Sequence, residues 1–307
     1  MSYARQLRFN FNKIMIKVLI IGAGGMLGHK LVQVFTEKCD VYTTIRNDFQ
    51  LYEKINIFKK NTTFDNVNVE NIERLKEIIK NIEPEVIVNA VGIIKQIPNG
   101  QNVIETLTVN SIFPHKLAEI AKETGSRLIC ISTDCVFSGK KGNYSEDDIS
   151  DAYDLYGKSK NLGEIESENC LTIRTSIIGR EIGTKHSLLE WFLSNRGKTV
   201  KGFKKAVFSG FPTIILAQIL ADIIVNHKNL MGFYHVASNP INKYDLLNLI
   251  NDQYQADIKI EPDLEFEIDR SLNSTKFKSV TGFEPQSWQE MIKIMAEDPT
   301  NYADWKK

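Results

Sequence analysis

The chain has 307 residues, with 38 Lys and Arg against 38 Asp and Glu, so its formal net charge is zero. Its 42% hydrophobic and 25% charged content excludes a mainly disordered protein, and its length predicts one or two domains. A neutral chain lacks the positive field that captures nucleic acid or anionic membranes. No apolar run approaches the length of a transmembrane helix. We therefore expect neither nucleic acid nor a membrane among its partners.

The amino-terminal residues and the cysteines bear on location and metals. Residues 1–14 carry basic side chains without an apolar run, which predicts a short extension rather than a secretory signal. No Cys-x-x-Cys pair occurs and the histidines are scattered, so no metal site is predicted. Free thiols within apolar runs are typical of a reducing compartment, and we expect a cytoplasmic protein. The four cysteines are Cys39, Cys130, Cys135 and Cys170.

From residue 15 to about residue 180, short β-branched runs alternate with longer helical patterns. Strands are predicted at residues 16–21, 40–46, 85–91, 127–132 and 170–178. Helices are predicted at residues 28–37, 71–82, 104–124 and 153–168. Strands that are buried on both faces and separated by helical crossovers predict a Rossmann-like, doubly wound parallel sheet of the α/β class.

Beyond residue 180 the pattern is less regular. Predicted helices cover residues 187–195, 213–226, 243–254 and 287–296, and predicted strands cover residues 232–237 and 257–261. The basic stretch 198–205 is interpreted as a solvated loop. We expect a smaller, partly interleaved second lobe from residues 181–202 and 241–307, with parts of 203–240 joining the first domain, residues 15–180.

A glycine-rich turn follows the first strand and opens the first helix, where a dinucleotide pyrophosphate binds helix N–H groups. The common Gly-x-Gly-x-x-Gly spacing would need a glycine at Leu27, whereas Gly22, Gly25 and Gly28 are spaced three and three. A tight turn without a ligand is the alternative. We favour a dinucleotide site formed by Gly22, Gly24, Gly25, Met26, Leu27 and Gly28.

The end of the second strand bears on the choice between NADP and NAD. An acid at this place binds the ribose 2′-hydroxyl of NAD, and a cation suits the 2′-phosphate of NADP. Arg46 ends the strand, and a guanidinium pairs with phosphate through two hydrogen bonds. We therefore predict NADPH, although Asp48, two residues further on, leaves NAD(H) open.

Three residues form a pattern typical of carbonyl chemistry. Tyr156 and Lys160 are four apart on a predicted helix and so share one of its faces. A lysine beside a tyrosine favours the phenolate, which would lower the tyrosine pKa and let it exchange a proton with a carbonyl oxygen. Thr133, at the end of a neighbouring strand, could hold that oxygen in position.

The glycine turn and these residues together resemble the extended short-chain dehydrogenase/reductase family, and within it the dTDP-4-dehydrorhamnose reductase branch. The resemblance rests on STDCVFSG, YGKSKNLGE and IRTSIIG, and it continues through GFYHVAS, DRSLNSTKF and TGFEPQSW. It implies that NAD(P)H reduces the 4-keto group of a nucleotide-linked deoxy sugar, for polysaccharide, O-antigen or capsule biosynthesis. The first domain would then bind the cofactor and the second lobe the sugar.

The resemblance also assigns roles to residues. It implies that Thr133 polarises the keto oxygen, that Tyr156 is the general acid, and that Lys160 tunes Tyr156 and binds the nicotinamide ribose. Asp134 and Asn110 would support these three residues. For Asn110, a purely structural role as a buried helix asparagine is an equally good interpretation. Further cofactor contacts would come from Asn68 and Val69 near the adenine, from Asn89, Ala90, Val91 and Gly92, and from Ser176 near the nicotinamide. The family usually has Asp where this chain has Asn68.

Two departures bear on the substrate. The rhamnose enzymes typically have Trp where this chain has Ile177, and Tyr where it has Cys135. Both changes leave the ketoreductase residues in place but favour a different sugar, and a UDP-linked N-acetylated deoxy sugar is one hypothesis. Arg270 is a candidate for binding the substrate diphosphate, ahead of Arg174.

Three alternative functions can be weighed. The 4,6-dehydratases of this superfamily carry Asp-Glu after the catalytic Thr, whereas Cys135 follows Asp134 here, which argues against a dehydratase. An epimerase with retained NAD uses the same Tyr and Lys and stays open. A non-catalytic, NADP-binding regulatory subunit also stays open. Separately, we expect that the protein could form a homodimer.

Overall fold

The structure, a computed structural model, describes residues 15–95 and 101–302. Its first half contains β1 (Lys17–Ile21), α1 (Gly28–Phe35), β2 (Asp40–Thr44), β3 (Thr63–Phe64), α2 (Ile72–Ile82), β4 (Val86–Asn89), α3 (Val103–Leu107), α4 (Phe113–Thr124), β5 (Arg127–Thr133), α5 (Leu155–Leu162) and β6 (Cys170–Thr175). Its second half contains β7 (Ile177–Ile178), α6 (Leu188–Leu193), β8 (Thr199–Phe208), β9 (Phe211–Pro212), α7 (Thr213–Asn226), β10 (Gly232–His235), β11 (Ile241–Asn242), α8 (Lys243–Tyr254), β12 (Lys259–Asp269), α9 (Thr275–Thr281) and α10 (Trp288–Ala296). Within these ranges no helix combines the length and apolar character needed to cross a membrane.

Seven strands form the central sheet in the order β10-β6-β5-β4-β1-β2-β3, and all of its neighbouring strands are parallel. The predicted fold class, a Rossmann-like α/β fold, is confirmed. The chain moves outward from β1 in both directions, so the strand order reverses between β1 and β4. Such a reversal leaves a crevice at the carboxyl ends of the strands, where ligands of open α/β sheets bind.

The alternation of side chains along β1 divides the core into two layers. Val18 and Ile20 pack with Leu31 of α1 and with the apolar helix α7, whereas Leu19 and Ile21 face the layer that contains α2 and α4. These four residues of β1 are fully buried. A strand with both faces covered explains the continuous apolar run in its sequence.

A second sheet consists of β11, β8 and β12, with β8 parallel to β12 and antiparallel to β11. The interpretation of residues 198–205 as a solvated loop is therefore wrong, because most of this stretch lies in β8. Its buried and exposed residues alternate, and the exposed lysines pair with β12 through Lys201–Asp263 and Lys205–Glu267. Because the lysines make the stretch strongly basic, its composition resembles that of a solvated loop and does not indicate the alternation of buried and exposed residues. The predicted strand 257–261 likewise extends to Asp269.

Three further predictions differ from the observed elements. The helix predicted at residues 153–168 ends at Leu162, because the following Gly163 packs against the Asn110 carbonyl. The strand predicted at residues 170–178 is broken at Ser176, whose carbonyl accepts a hydrogen bond from Phe211 N instead. Residues 275–281 form a helix, α9, that was not predicted.

Candidate active site

The glycine turn joins β1 to α1 at the carboxyl edge of the sheet. Gly22 has a φ of +85°, and a Cβ there would lie 2.6 Å from the Val91 side chain. A Cβ on Gly28 would lie 2.2 Å from the Gly22 carbonyl oxygen. Larger residues would therefore separate the turn, the helix and the loop after β4. This packing leaves the backbone of the turn close to any ligand in the neighbouring cleft.

A cleft of about 230 Å³ opens between the ends of β1, β2 and β4. It brings together eight predicted cofactor residues, namely Gly22, Gly25, Arg46, Asn68, Val69, Ala90, Val91 and Gly92. Six lining residues were not predicted, namely Thr44, Val67, Glu70, Ile93, Glu105 and Val109. Three of these could have been predicted from the sequence. Thr44 lies at the end of a predicted strand, and Glu105 and Val109 are four residues apart, on one face of the predicted helix that contains Asn110.

The remaining predicted cofactor residues lie around this cleft. Gly24 packs against Tyr52, whose hydroxyl would be 2.7 Å from an added Cβ. Leu27 is buried and Met26 is partly buried. The buried Asn89 ends β4, and its Oδ1 accepts a hydrogen bond from Val91 N at 3.1 Å. Asn89 thus shapes the loop that lines the cleft.

Arg46 and Asp48 have different surroundings. Arg46 is exposed and its side chain lines the cleft. The Asp48 carboxylate accepts a hydrogen bond from Gln50 N at 2.8 Å and caps the short 3₁₀ helix Phe49–Ile55. The cation is therefore free to meet a ligand phosphate, whereas the acid already has a structural partner.

Thr133 and Tyr156 meet where β5 ends and α5 begins. The Thr133 hydroxyl accepts a hydrogen bond from Cys135 N at 3.1 Å and donates one to Asp134 Oδ1 at 3.2 Å. Asp154 caps α5 by accepting a hydrogen bond from Gly157 N at 2.7 Å, which fixes Tyr156 in the first turn. The phenol of Tyr156 interacts with the Thr133 hydroxyl.

The expected lowering of the Tyr156 pKa is not observed. Burial raises the pKa of this phenol above its usual value, and the charge of Asp134 raises it further, whereas the neighbouring Thr133 hydroxyl lowers it. In this chain the loss of solvent has the largest effect on the pKa of the phenol. Tyr156 is therefore protonated at neutral pH.

Lys160 lies between β5 and the loop after β4. Its Nζ donates a hydrogen bond to the Ile131 carbonyl at 2.8 Å and lies 4.0 Å from the position that a Cβ on Gly92 would take. Burial lowers the pKa of the Lys160 ammonium, while the carboxylate of Glu164 raises it. This position connects the cleft with the face of α5 that carries Tyr156.

Asn110 lies in a π-helical segment, Thr108–Ile112, between α3 and α4. Its Oδ1 accepts a hydrogen bond from Ile93 N at 2.8 Å, and its Nδ2 donates to Ile93 O at 2.9 Å and to Ser159 Oγ at 3.1 Å. Asn110 therefore ties the loop after β4 to α5. Such wide turns are frequent at functional sites.

A polar group lies beyond Thr133 on the side of the second sheet. Arg270 Nε donates to the Phe137 carbonyl at 2.8 Å, and its Nη1 lies 3.7 Å from Cys135 Sγ. Burial raises the pKa of Asp134, while Arg270 and Lys243 lower it. Burial lowers the pKa of Lys243 to about 8. The sequence analysis missed Lys243, because nothing local marks a residue more than 100 positions from Asp134.

The remaining candidates, Arg174 and Ile177 for the substrate and Ser176 for the cofactor, lie in β6 or directly after it. Arg174 forms a buried ion pair with Glu164, its Nη2 2.8 Å from Glu164 Oε2 and its Nε 2.8 Å from Glu164 Oε1. Its guanidinium is thereby committed to the fold rather than to a diphosphate. Ser176 and Ile177 follow β6, and Ile177 pairs with Phe211 in the short sheet β7-β9.

Comparisons with known proteins found relatives that match most of the chain. Residues 16–300 match the family described as "RmlD substrate binding domain". The chain is 29% identical to a dTDP-4-dehydrorhamnose reductase from Aggregatibacter actinomycetemcomitans over 91% of this chain and 98% of that one. It is 26% identical to methionine adenosyltransferase 2 subunit beta from Danio rerio over 78% of this chain and 74% of that one. A structure described as a hypothetical dTDP-4-dehydrorhamnose reductase from Sulfolobus tokodaii superposes with a TM-score of 0.74, at 25% identity, over 89% of this chain and 98% of that one.

Proposed function

Since the chain belongs to the RmlD substrate-binding domain family of extended short-chain dehydrogenases/reductases, we propose that it reduces the 4-keto group of a nucleotide-activated deoxy sugar with NADPH. The predicted family and enzyme class, an NAD(P)-dependent oxidoreductase, are confirmed. The observation that supports the proposal is the position of Lys160, whose Nζ lies near Gly92 of the cleft, one turn along α5 from Tyr156, which lies near Thr133. The reaction would serve polysaccharide, O-antigen or capsule sugar biosynthesis.

The residues of the cleft fit a dinucleotide. Gly22 and Gly28 occupy places where a Cβ would collide with neighbouring atoms, so the backbone of the turn stays accessible to a pyrophosphate. Arg46 would bind the 2′-phosphate of NADPH, and Asn68 and Val69 would lie against the adenine. NAD(H) is the second choice, because Asp48 is engaged in capping.

The catalytic residues would share the proton chemistry. NADPH held in the cleft would supply the hydride for the keto carbon. Tyr156 would donate its phenolic proton to the keto oxygen, so that the ketone becomes an alcohol. The raised pKa of Tyr156 keeps that proton in place until negative charge develops on the oxygen. Thr133 holds the oxygen by a hydrogen bond, and Lys160 orients the nicotinamide ribose and stabilises the phenolate that remains. Asn110 holds the loop that positions these groups.

Two lobes divide the binding tasks in this proposal. Residues 15–180 with parts of 203–240 would bind the cofactor, in keeping with β10 as an edge strand of the large sheet. Residues 181–202 and 241–307 would bind the sugar nucleotide, with Arg270 directed to its diphosphate and Ile177 lining the sugar. Ser176 would lie near the nicotinamide. A homodimer in a cytoplasmic location stays part of the prediction.

Two sugar nucleotides are candidates for the substrate, a dTDP sugar and a UDP sugar. The relatives that are named for dTDP-4-dehydrorhamnose support a dTDP sugar. Ile177 and Cys135, which replace larger aromatic residues of that branch, support a different sugar and keep the UDP-linked N-acetylated deoxy sugar as an alternative.

A panel of dTDP- and UDP-linked 4-keto-6-deoxy sugars tests the proposal through the near-ultraviolet absorbance of NADPH. We expect stoichiometric NADPH oxidation with one nucleotide class. Turnover of a sugar without net NADPH consumption would indicate an epimerase instead. NADPH binding without turnover of any sugar would indicate a regulatory subunit, the role that the name of the Danio rerio relative suggests for that protein.

A further inference from the structure

The segment 298–302, which follows α10, returns across the molecule to α1. We propose that this segment acts through His29 as part of the cofactor site, where it holds the glycine turn in the conformation that binds a dinucleotide phosphate. His29 is thus a positioning residue. This inference rests on the proposed function, because it assigns to the same cleft a further determinant of cofactor affinity.

His29 connects the segment with the turn. The side chain is fully buried in α1, and its Nδ1 lies 2.8 Å from the Gly25 carbonyl oxygen. Its Nε2 lies 2.9 Å from the Tyr302 hydroxyl. The two rings pack edge to face with their centroids 5.7 Å apart. Tyr302 therefore fixes the orientation of the imidazole that contacts the turn.

The chemistry of these contacts assigns the proton of the ring. A carbonyl oxygen only accepts, so Nδ1 carries the hydrogen and donates it to Gly25 O. Burial lowers the pKa of His29 to about 3, so the ring is neutral and Nε2 is an acceptor. The Tyr302 hydroxyl has one hydrogen and two acceptors within reach, Nε2 at 2.9 Å and Asp298 Oδ2 at 3.0 Å. Removal of either contact would free the ring to turn.

The orientation of the Gly25 carbonyl decides where the next N–H points. Gly25 O also accepts the backbone N–H of His29, at 3.2 Å, so two donors from one residue hold it toward α1. In a trans peptide the C=O and N–H point in opposite directions, and the Met26 N–H is therefore directed away from the helix. Free N–H groups at this end of a helix bind phosphate, and Gly25 lines the cleft.

A second set of contacts anchors the segment without reaching the turn. Lys30 forms a buried ion pair with Asp298. Thr300 Oγ1 accepts hydrogen bonds from Lys30 Nζ at 3.0 Å and from Gln33 Nε2 at 2.7 Å. Asp298 Oδ2 also lies 3.0 Å from the Tyr302 hydroxyl, so this ion pair is linked to His29. The side-chain contacts of Gln33 with Lys30 and Thr300 reach neither Tyr302 nor Gly25, and they provide the matched control for the contacts of His29.

Two substitutions of His29 separate positioning from mere packing. An asparagine amide lies where Nδ1 lies and can still donate to Gly25 O, whereas a glutamine amide lies closer to the place of Nε2. We expect His29→Gln to weaken NADPH binding about tenfold and His29→Asn to weaken it about twofold. Gln33→Ala should lower the melting temperature and leave the NADPH dissociation constant unchanged.

The measurement is the NADPH dissociation constant of each full-length variant, by fluorescence titration without sugar, together with its melting temperature. Equal affinities of His29→Gln and His29→Asn would overturn the inference. So would a Gln33→Ala variant that loses as much affinity as His29→Gln. These outcomes leave the proposed function intact, because the wild type would still bind NADPH. A wild type that binds neither NADPH nor NADH would overturn both.

Discussion

At the scale of single residues, burial raises the pKa of Tyr156, and this agrees with the proposed role of Tyr156 as a proton donor. A phenol with a raised pKa is fully protonated near pH 7, which suits a donor to a ketone oxygen. The neighbouring Lys160 has a lowered pKa for the same reason, so both groups are less charged than they would be in water. Little solvent therefore screens Tyr156 and Lys160 from the charges of a ligand that enters the cleft.

Arg46 allows a prediction about the cofactor. Replacement of Arg46 by Ala should weaken NADPH binding about tenfold, because a charge-assisted pair with the 2′-phosphate is lost, and should change NADH binding less than about twofold. Titration of each variant with both dinucleotides measures this. Lys54→Ala, an exposed cation outside the lining of the cleft, is the matched control. Equal losses for both dinucleotides would contradict the assigned contact.

Sequence patterns could predict some of these residues and not others. Tyr156 and Lys160 were found because helical spacing puts them on one face, and Thr133 because it ends a strand. The pKa direction of Tyr156 could not be found, since it depends on the solvent that the whole fold excludes. Lys243 was missed because its neighbourhood with Asp134 is created only by the packing of distant elements.

At the scale of elements, α5 is held by two glycines at close contacts. A Cβ on Gly157 would lie 2.2 Å from the Cys135 carbonyl oxygen, and one on Gly163 would lie 1.9 Å from the Asn110 carbonyl oxygen. These contacts bring α5 against both the end of β5 and the π-helical segment. The distances among Tyr156 and the groups around it therefore depend on the absence of two side chains.

Substitution of Gly163 tests this seating of α5. Gly163→Ala should destabilise the fold by about 1–3 kcal/mol and slow turnover, because the added methyl displaces α5 from Asn110. Gly125→Ala is the control, since Gly125 has a φ of +72° but no atom within 4 Å of its added Cβ. The control should lose about 1 kcal/mol through backbone strain and keep its turnover. Thermal melting measures the stability of each variant, and steady-state rates measure its turnover. Similar turnover of the two variants would contradict the role of Gly163 in positioning α5.

Elements with strong patterns were predicted well. The bounds of α7 and α8 agree with the predicted helices at residues 213–226 and 243–254. By contrast, β8 was missed because its lysines resemble a solvated loop, and only the pairing with β12 shows why they lie on a strand. Strand pairing between distant segments leaves little local trace in a sequence.

At the scale of the whole molecule, both ends of the described chain contribute to the part of the fold that contains the large sheet and α1. β1 starts the central sheet near residue 17, and the segment 298–302 packs on α1 near residue 30. Between them the chain leaves the large sheet after β6, returns to it with β10, and leaves it again for the second sheet. The carboxyl edge of the large sheet thereby faces residues of both sheets, as Thr133 and Arg270 illustrate.

The central claim is that Tyr156 protonates a sugar ketone while NADPH is oxidised. The most direct test compares the wild type with Tyr156→Phe on the same 4-keto sugar nucleotide, and follows NADPH oxidation and NADPH binding side by side. We predict that the variant binds NADPH with unchanged affinity and reduces the sugar about a hundredfold to ten-thousandfold more slowly. Equal rates of reduction by the two proteins would contradict the account.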